Sequence, residues 1–438
     1  MKMKSLKIMQ HLPSQRVSRL SAGILLAALA LSCSSASAGN KTTLRIWAMG
    51  REGEVLSQLI PGFEKENPGI HVEVQQIPWT AAHEKLLTAY VGESTPDIAM
   101  LGNTWVPEFV ALNSLAPLDS FAMKSKEIRR DDFFVGIWKT NVVNGKTYGI
   151  PWYVDTRLIF YRTDLLAKAG YKTFPTTWAE WTTALKKMKS QMSARQFPLL
   201  MPTNEWPQPV DFALEAGSPI LRDGGRYGAF EQPAFRKGFD YYIGFYRQGL
   251  ASPVSTSQVS NLYQEFERGN IAMFISGPWY IGELKNRLDS SVQSKWSTAA
   301  MPGINGPGVS MAGGSSLSLF AASQHKAEAW KLMEYMSRPQ LQVEFYRLTG
   351  DLPPRISAWR DTTLANNKYA LAFRAQLEHV MPLPQVPEWE EIATTIFEHG
   401  EQAIRETQTV DQMLASLDQD VNAMLEKRRY LLAQSKKP

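Results

Sequence analysis

Leu44-Arg45-Ile46-Trp47-Ala48-Met49-Gly50 opens a pattern that continues with Val55, Leu56, Leu59, Ile60 and Phe63 and stops at Asn67-Pro68-Gly69. The first six residues read as a strand that Gly50 ends. The apolar residues after it recur at the spacing of one helix face, and Asn-Pro-Gly breaks that helix. The same unit then repeats, with a strand at 71–77, a helix at 81–90 and a strand at 97–101. Strands alternating with helices predict an α/β chain built on a parallel sheet. In such sheets ligands sit beyond the carboxyl ends of the strands. The loops at 50–54, 76–79 and 102–105 are therefore the first candidates for a site.

Further along, Val142-Val143-Asn144-Gly145-Lys146-Thr147 carries a hairpin signal, because Asn-Gly suits a turn with positive φ at both central positions. Residues 151–161 read as extended, followed by a helix at 164–169 ended by Gly170. Thr177 and Glu180 have the spacing of a capping box and start a helix running to Met188. Helices are expected at 234–247, 260–268, 327–336 and 341–348, with a strand at 271–275. Residues 390–427 read as a helical tail on Ile392, Ile396, Met413, Leu417 and Met424.

The start of the chain reads as an export leader. Lys2, Lys4, Lys7, Arg16 and Arg19 form a basic region without acids, residues 20–31 are uncharged, and Ala36-Ser37-Ala38 is a small-x-small site for cleavage before Gly39. Ala30-Leu31-Ser32-Cys33 resembles a lipoprotein box, but with Ala where leucine is expected and Leu where a smaller residue is expected. A free periplasmic protein is the expected form, ahead of one lipid-anchored at Cys33. The net charge of +5 comes from 47 basic and 42 acidic residues, and five of the basic ones lie in the leader. The remainder is neutral (42 − 42 = 0), which removes the basic surface a nucleic-acid partner would require. Cys33 is the only cysteine, so disulfides and cysteine-bound metals are excluded after processing. About 400 remaining residues suffice for two lobes, each with a core.

Phe266-Glu267-Arg268-Gly269-Asn270-Ile271-Ala272-Met273-Phe274-Ile275-Ser276-Gly277-Pro278-Trp279 resembles a segment that recurs in the extracellular solute-binding proteins of ABC sugar importers. Phe63-Glu64-Lys65, Pro96-Asp97-Ile98, Tyr148-Gly149-Ile150-Pro151 and Pro175-Thr176-Thr177-Trp178 support the likeness in order along the chain. The similarity spans 43–427 and is nearest to the maltose- and trehalose-binding branch. It implies a two-lobed periplasmic-binding-protein fold with a hinge and discontinuous lobes. Residues 1–38 would be the signal peptide, 41–150 plus 299–349 lobe one, and 151–298 plus 350–438 lobe two. The hinge would lie near 149–155 and 296–301. The resemblance also implies a small sugar as ligand, a membrane permease as partner, no cofactor, and a monomer.

A sugar presents hydroxyls, which Asp, Glu, Asn and Arg can bind, and apolar C–H faces, which pack on rings. Thirteen Trp and fifteen Tyr are a large supply, most of it structural; Trp178, Trp181 and Trp330 sit on helix faces and read as core. Glu52 follows the first strand, Gln76 ends the second, and Asn103 and Trp105 follow the third. Pro151-Trp152-Tyr153-Val154-Asp155 places two aromatics and a carboxylate together; the competing reading of Asp155 is an ion pair with Arg157. Trp279, exposed by Gly277 and Pro278, is the best stacking platform, with Tyr280 beside it. Gly313 and Gly314 would let backbone amides approach a ligand. Arg355, after Pro353-Pro354, matches a family arginine. Gly102 and Ser315 depart from that branch, which can carry an aspartate and a tryptophan at these places.

A glycoside hydrolase would need two carboxylates facing each other across a bond. No such pair is identifiable, no G-x-S-x-G or H-E-x-x-H motif occurs, and histidines 71, 83, 325, 379 and 399 lack metal-ligand spacing. The reading is a binding protein rather than an enzyme, without a metal. The alternative ligands are a polyol, a glycerophosphodiester or a modified sugar, with Arg51, Arg157 and Arg355 as a potential phosphate cluster.

Overall fold

The computed structural model describes residues 41–259 and 261–434. The expected leader, its cleavage site and Cys33 lie outside these residues. Strand β1 (Thr42–Met49) pairs in parallel with β2 (Ile70–Ile77), Leu44 opposite Val72, and with β3 (Ile98–Gly102), Ile46 opposite Ile98. The helix Gly50–Glu66 buries Val55, Leu56, Leu59, Ile60 and Phe63, the stripe its spacing predicts. Each such side chain contributes about 1.5–3 kcal/mol on burial. The helix Trp79–Val91 returns from β2. The hairpin forms as expected, Val142–Val143 against Lys146–Thr147, with Asn144 at φ 50° and Gly145 at φ 78°.

Strand β4 (Ile150–Asp155) belongs to the same sheet, and only Thr156 and Arg157 separate it from β5 (Leu158–Arg162) in a second one. That sheet adds β6 (Phe197–Leu200), β7 (Ile271–Ser276) and β8 (Trp296–Ala299), in the order β8-β5-β7-β6. All six residues of β7 are buried, the mark of a strand covered on both faces. The chain then returns to the first sheet as β9 (Gly313–Leu319), antiparallel to both its neighbours, and completes the order β2-β1-β3-β9-β4. A third passage lies beside β4, where the Val154 N–H donates to the Leu352 carbonyl at 2.9 Å. Apolar cores form around each sheet: Leu44, Phe63, Met100 and Leu317 around the first, Phe160, Phe274 and Trp296 on one face of the second, and Trp181 and Phe212 on the other. Trp178, Trp181 and Trp330 are all buried in them.

Three local readings change. The Thr177 hydroxyl accepts from the Glu180 N–H at 3.2 Å, but the Glu180 carboxylate turns to the Thr176 N–H, so only half of the capping box forms. The helix expected at 260–268 begins at Leu262, because the Asn261 side chain caps it. The tail is three helices, Trp389–Ile404, Val410–Met424 and Glu426–Gln434. Glu406 at φ 58° and a Thr409–Gln412 capping box divide the first two. Among the described residues no helix is long and apolar enough to cross a membrane.

Candidate functional site

The carboxyl ends of β1 and β3 open onto a cleft of about 810 Å³. At its edge the backbone turns at Gly50 (φ +49°), where a Cβ would come 2.9 Å from the Trp79 ring. This turn places Glu52 in the first turn of its helix with 7% of its surface exposed. Burial raises its carboxyl pKa, against hydrogen bonds from the backbone, Tyr153 and Trp79. Side chains of β4 alternate, so Tyr153 and Asp155 line the cleft while Trp152 points behind it. Tyr153 accepts from the Ser315 hydroxyl of β9 at 3.0 Å. Burial raises the Asp155 carboxyl pKa and Arg157, whose Nη2 is 3.7 Å from Oδ2, draws it down; the Asp155 Oδ1 is shielded and has no hydrogen-bond partner among the described residues. Asp351 follows Gly350, the left-handed cap (φ +87°) of the helix Pro339–Thr349. Burial first, and the Glu52 charge second, push its carboxyl up to about 8.

The opposite wall grows from the helix Trp279–Arg287, which starts directly after β7. A Cβ at position 277 would fall 2.0 Å from the Trp279 ring, so Gly277 is what allows the indole to lie where it does. The Arg157 guanidinium sits 4.8 Å from the centroid of that ring, in cation–π contact. Gly282, Glu283 and Asn286 follow Trp279 at i+3, i+4 and i+7 and line the cleft from the same helix face. Trp206 joins this wall, while Trp79 and Trp105 meet edge-on at 5.8 Å at the first sheet.

The cleft brings together eight of the twelve residues singled out in the sequence: Glu52, Asn103, Trp105, Tyr153, Asp155, Trp279, Gly313 and Gly314. Asn103 also holds the end of β3 to the strand beside it, its amide donating to the Ala312 carbonyl at 2.9 Å. A Cβ on Gly313 would lie 2.1 Å from the Asp155 carbonyl, and one on Gly314 2.2 Å from that of Tyr153. The glycines are thus required for the close approach of β9 to β4, whatever their amides also offer a ligand. The other four are not in this lining, Tyr280 packing edge-on against Phe274 at 5.1 Å. Gln76 turns back to donate to the Gly50 carbonyl at 3.0 Å and to Glu54 at 3.2 Å. Trp152 is 1% exposed and stacked on Phe345 at 4.4 Å. Arg355 is buried against Asp132 at 2.7 Å and donates to the Ser337 carbonyl, because an isolated buried guanidinium would be far costlier than a paired one.

Sequence reasoning did not single out Trp79, Trp206, Glu283, Asn286 or Asp351 as ligand contacts, and named Arg157 only as a partner for Asp155 and as part of a potential phosphate cluster. The helical spacing after Trp279 was a usable signal for Glu283 and Asn286. Asp351 had none: its place in the cleft comes from a chain passage nearly 200 residues after β4. The assembled chemistry is a set of buried carboxyl groups facing an indole ring, suited to a ligand with many hydroxyls and apolar faces.

Known proteins resemble this chain over most of its length. The structure of the sugar-binding protein MalE from the phytopathogen Xanthomonas citri is 48% identical, covers 90% of this chain and all of its own, and superposes with a TM-score of 0.88. A putative binding protein of Brucella abortus is 28% identical, over 85% of this chain and 90% of its own. The diacetylchitobiose-binding protein DasA of Streptomyces coelicolor is 24% identical, over 79% and 81% of the two chains. Residues 48–343 match the model of one family, more than half of the chain, and the protein belongs to it: the bacterial extracellular solute-binding proteins.

Proposed function

We propose that this protein captures a small sugar, of the maltose or trehalose class, and delivers it to the membrane permease of an ABC importer. The observation that carries the reading is the opposition of Glu52, Asp155 and Asp351 to the Trp279 ring across one cleft. Carboxyl groups bind vicinal hydroxyls, and the ring covers the C–H face of a pyranose. The 48% identity to a sugar-binding MalE supports the same ligand class. Binding, not turnover, is the activity of this family. A glycerophosphodiester is disfavoured, since Arg355 is engaged elsewhere and the exposed Arg51 pairs with Glu54 at 2.9 Å, leaving Arg157 among several acids.

In this proposal residues 41–150 plus 299–349 form one lobe and 151–298 plus 350–438 the other, closing as a monomer about 149–155 and 296–301. Export would follow cleavage before Gly39. A thermal-shift panel of maltose, trehalose, a polyol and a glycerophosphodiester tests the ligand class. A sugar at a hundred times its Kd should stabilise the protein by about 2.7 kcal/mol. A shift with the polyol or phosphodiester and none with the sugars would overturn the reading.

A further inference from the structure

The last helix, Glu426–Gln434, is covered by the rest of the molecule on one side only, and none of its residues is fully buried. Lys427, Tyr430, Leu431 and Gln434, at i, i+3, i+4 and i+7, share an exposed face, with Tyr430 64% and Leu431 55% exposed. The other side is tied down. The Arg429 guanidinium donates to the Arg226 carbonyl at 3.1 Å and lies 5.0 Å from the centre of the Tyr227 ring, and Arg428 approaches Glu388 at 4.0 Å. The exposed face is therefore held in one orientation.

Charge gathers at the same end. Residues 426–438 hold Lys427, Arg428, Arg429, Lys436 and Lys437 against Glu426, a net of +4. Residues 39–438 are neutral overall, so those from 39 to 425 carry −4. Such an asymmetry in a balanced chain marks an end that meets a surface of opposite charge. Among the described residues neither Lys427 nor the Arg226 side chain pairs with an acid. A surface depression of about 600 Å³ beside the face is lined by Arg226, Tyr227, Arg429 and Tyr430, and Glu426 is the one acid among its lining residues.

The shape and the charge together select the partner. Two apolar side chains on a convex helix end fall well short of the roughly 800 Å² that a stable protein interface buries on each partner. A second copy pairing through the same face would set these basic groups opposite themselves, which is repulsive. A bilayer surface meets neither objection. It takes in a few side chains, suits a tyrosine whose ring is apolar and whose hydroxyl stays wet, and its anionic headgroups attract Lys and Arg.

We propose that the exposed face of the last helix rests on anionic phospholipid, with Tyr430 and Leu431 inserted at headgroup depth and Lys427, Arg226 and Arg429 facing the phosphates. The contact keeps the protein on a membrane surface whatever ligand the cleft takes. Flotation of the purified chain from residue 39 onward, with vesicles of phosphatidylcholine alone or with roughly a third phosphatidylglycerol, tests it. At low salt about tenfold more protein should rise with the anionic vesicles, and high salt should remove the gain. Tyr430→Ser combined with Leu431→Ser should abolish the gain, and Lys427→Glu should reduce it several-fold. All three side chains are exposed, so the variants should melt like the wild type. Equal flotation with both vesicles, none with either, or variants that float like the wild type overturn the proposal. So does a dimer in sedimentation that the double variant disperses, because it assigns the face to a second copy.

Discussion

On the wall at the ends of β1 and β4 the cleft buries Glu52, Tyr153 and Asp351 beside the half-buried Asp155; on the wall after β7 it offers the half-buried Trp279 with Arg157 laid on its face. The carboxyl groups of the first wall have raised pKa values because burial disfavours their charge. That wall holds polar groups at the expense of stability, ready to bond a ligand. The second wall exposes part of an aromatic ring, which loses little in the free protein and gains when a ligand face covers it. In the proposed reading recognition is split: hydroxyls to the first wall, C–H faces to the second.

The tryptophan behind the first wall gives the largest expected effect. Trp152 neighbours Tyr153 in sequence yet stacks on Phe345 with 1% of its surface exposed. Trp152→Ala should lower stability by about 3–5 kcal/mol, as large cavities in well-packed cores do. Affinity measured well below the new melting temperature should change much less. Unchanged melting together with lost binding would move Trp152 into the cleft and dissolve the distinction between the two sides of β4.

The second effect separates the walls by pH. Asp351 is pushed up to about 8 and the buried Asp211, near Arg157, to about 7, whereas unfolded aspartate titrates near 3.9. Between about pH 4 and 8 the folded protein therefore holds more protons than the unfolded chain. Stability must then fall as pH rises through this window, by up to about 1.4 kcal/mol per unit for each group. Without ligand, the melting temperature should be lower at pH 8.5 than at pH 5.5. His83, raised by Glu108, pulls in the same direction, so a variant is needed to assign the effect. Asp351→Asn should shrink the difference, by on the order of a few kcal/mol at pH 8.5. A wild-type melting temperature that rises with pH would show that the carboxyls of the first wall are not held out of water.

The alternation from β1 to β3 was legible because apolar spacing switches period between strand and helix, and the burial of Val55, Leu56, Leu59, Ile60 and Phe63 follows it. The period of two was equally available at 152–155 and separates Trp152 from Tyr153 and Asp155, yet a cluster of attractive residue types concealed it. Gln76 sits at the correct strand end, but its amide satisfies the Gly50 carbonyl, a choice made by local geometry rather than composition. Arg355 and Asp132 are 223 residues apart, and no local pattern announces such a pair. Arg157 was noted as a partner for Asp155 and as part of a potential phosphate cluster; its contact with Trp279 depends on how the two sheets meet.

Trp279→Ala is the smallest of the three effects and the most direct test of the second wall. The ring is half-buried at the first turn of its helix, so its removal leaves no closed cavity and stability should fall by less than in Trp152→Ala. What is lost is the surface that covers the sugar and the seat of the Arg157 guanidinium. Base stacking on an aromatic side chain is worth about 1–3 kcal/mol, and a sugar face on the indole should fall in that range. Titration calorimetry should accordingly show affinity weakened by roughly five- to 150-fold. Trp279→Phe keeps a ring and a seat for the cation, and should recover most of the loss, which separates stacking from a general disturbance of the helix start. If Trp279→Ala binds sugar like the wild type, recognition belongs to the first wall alone. Should the alanine and phenylalanine variants lose affinity equally, the indole acts through its size or its N–H rather than through its face.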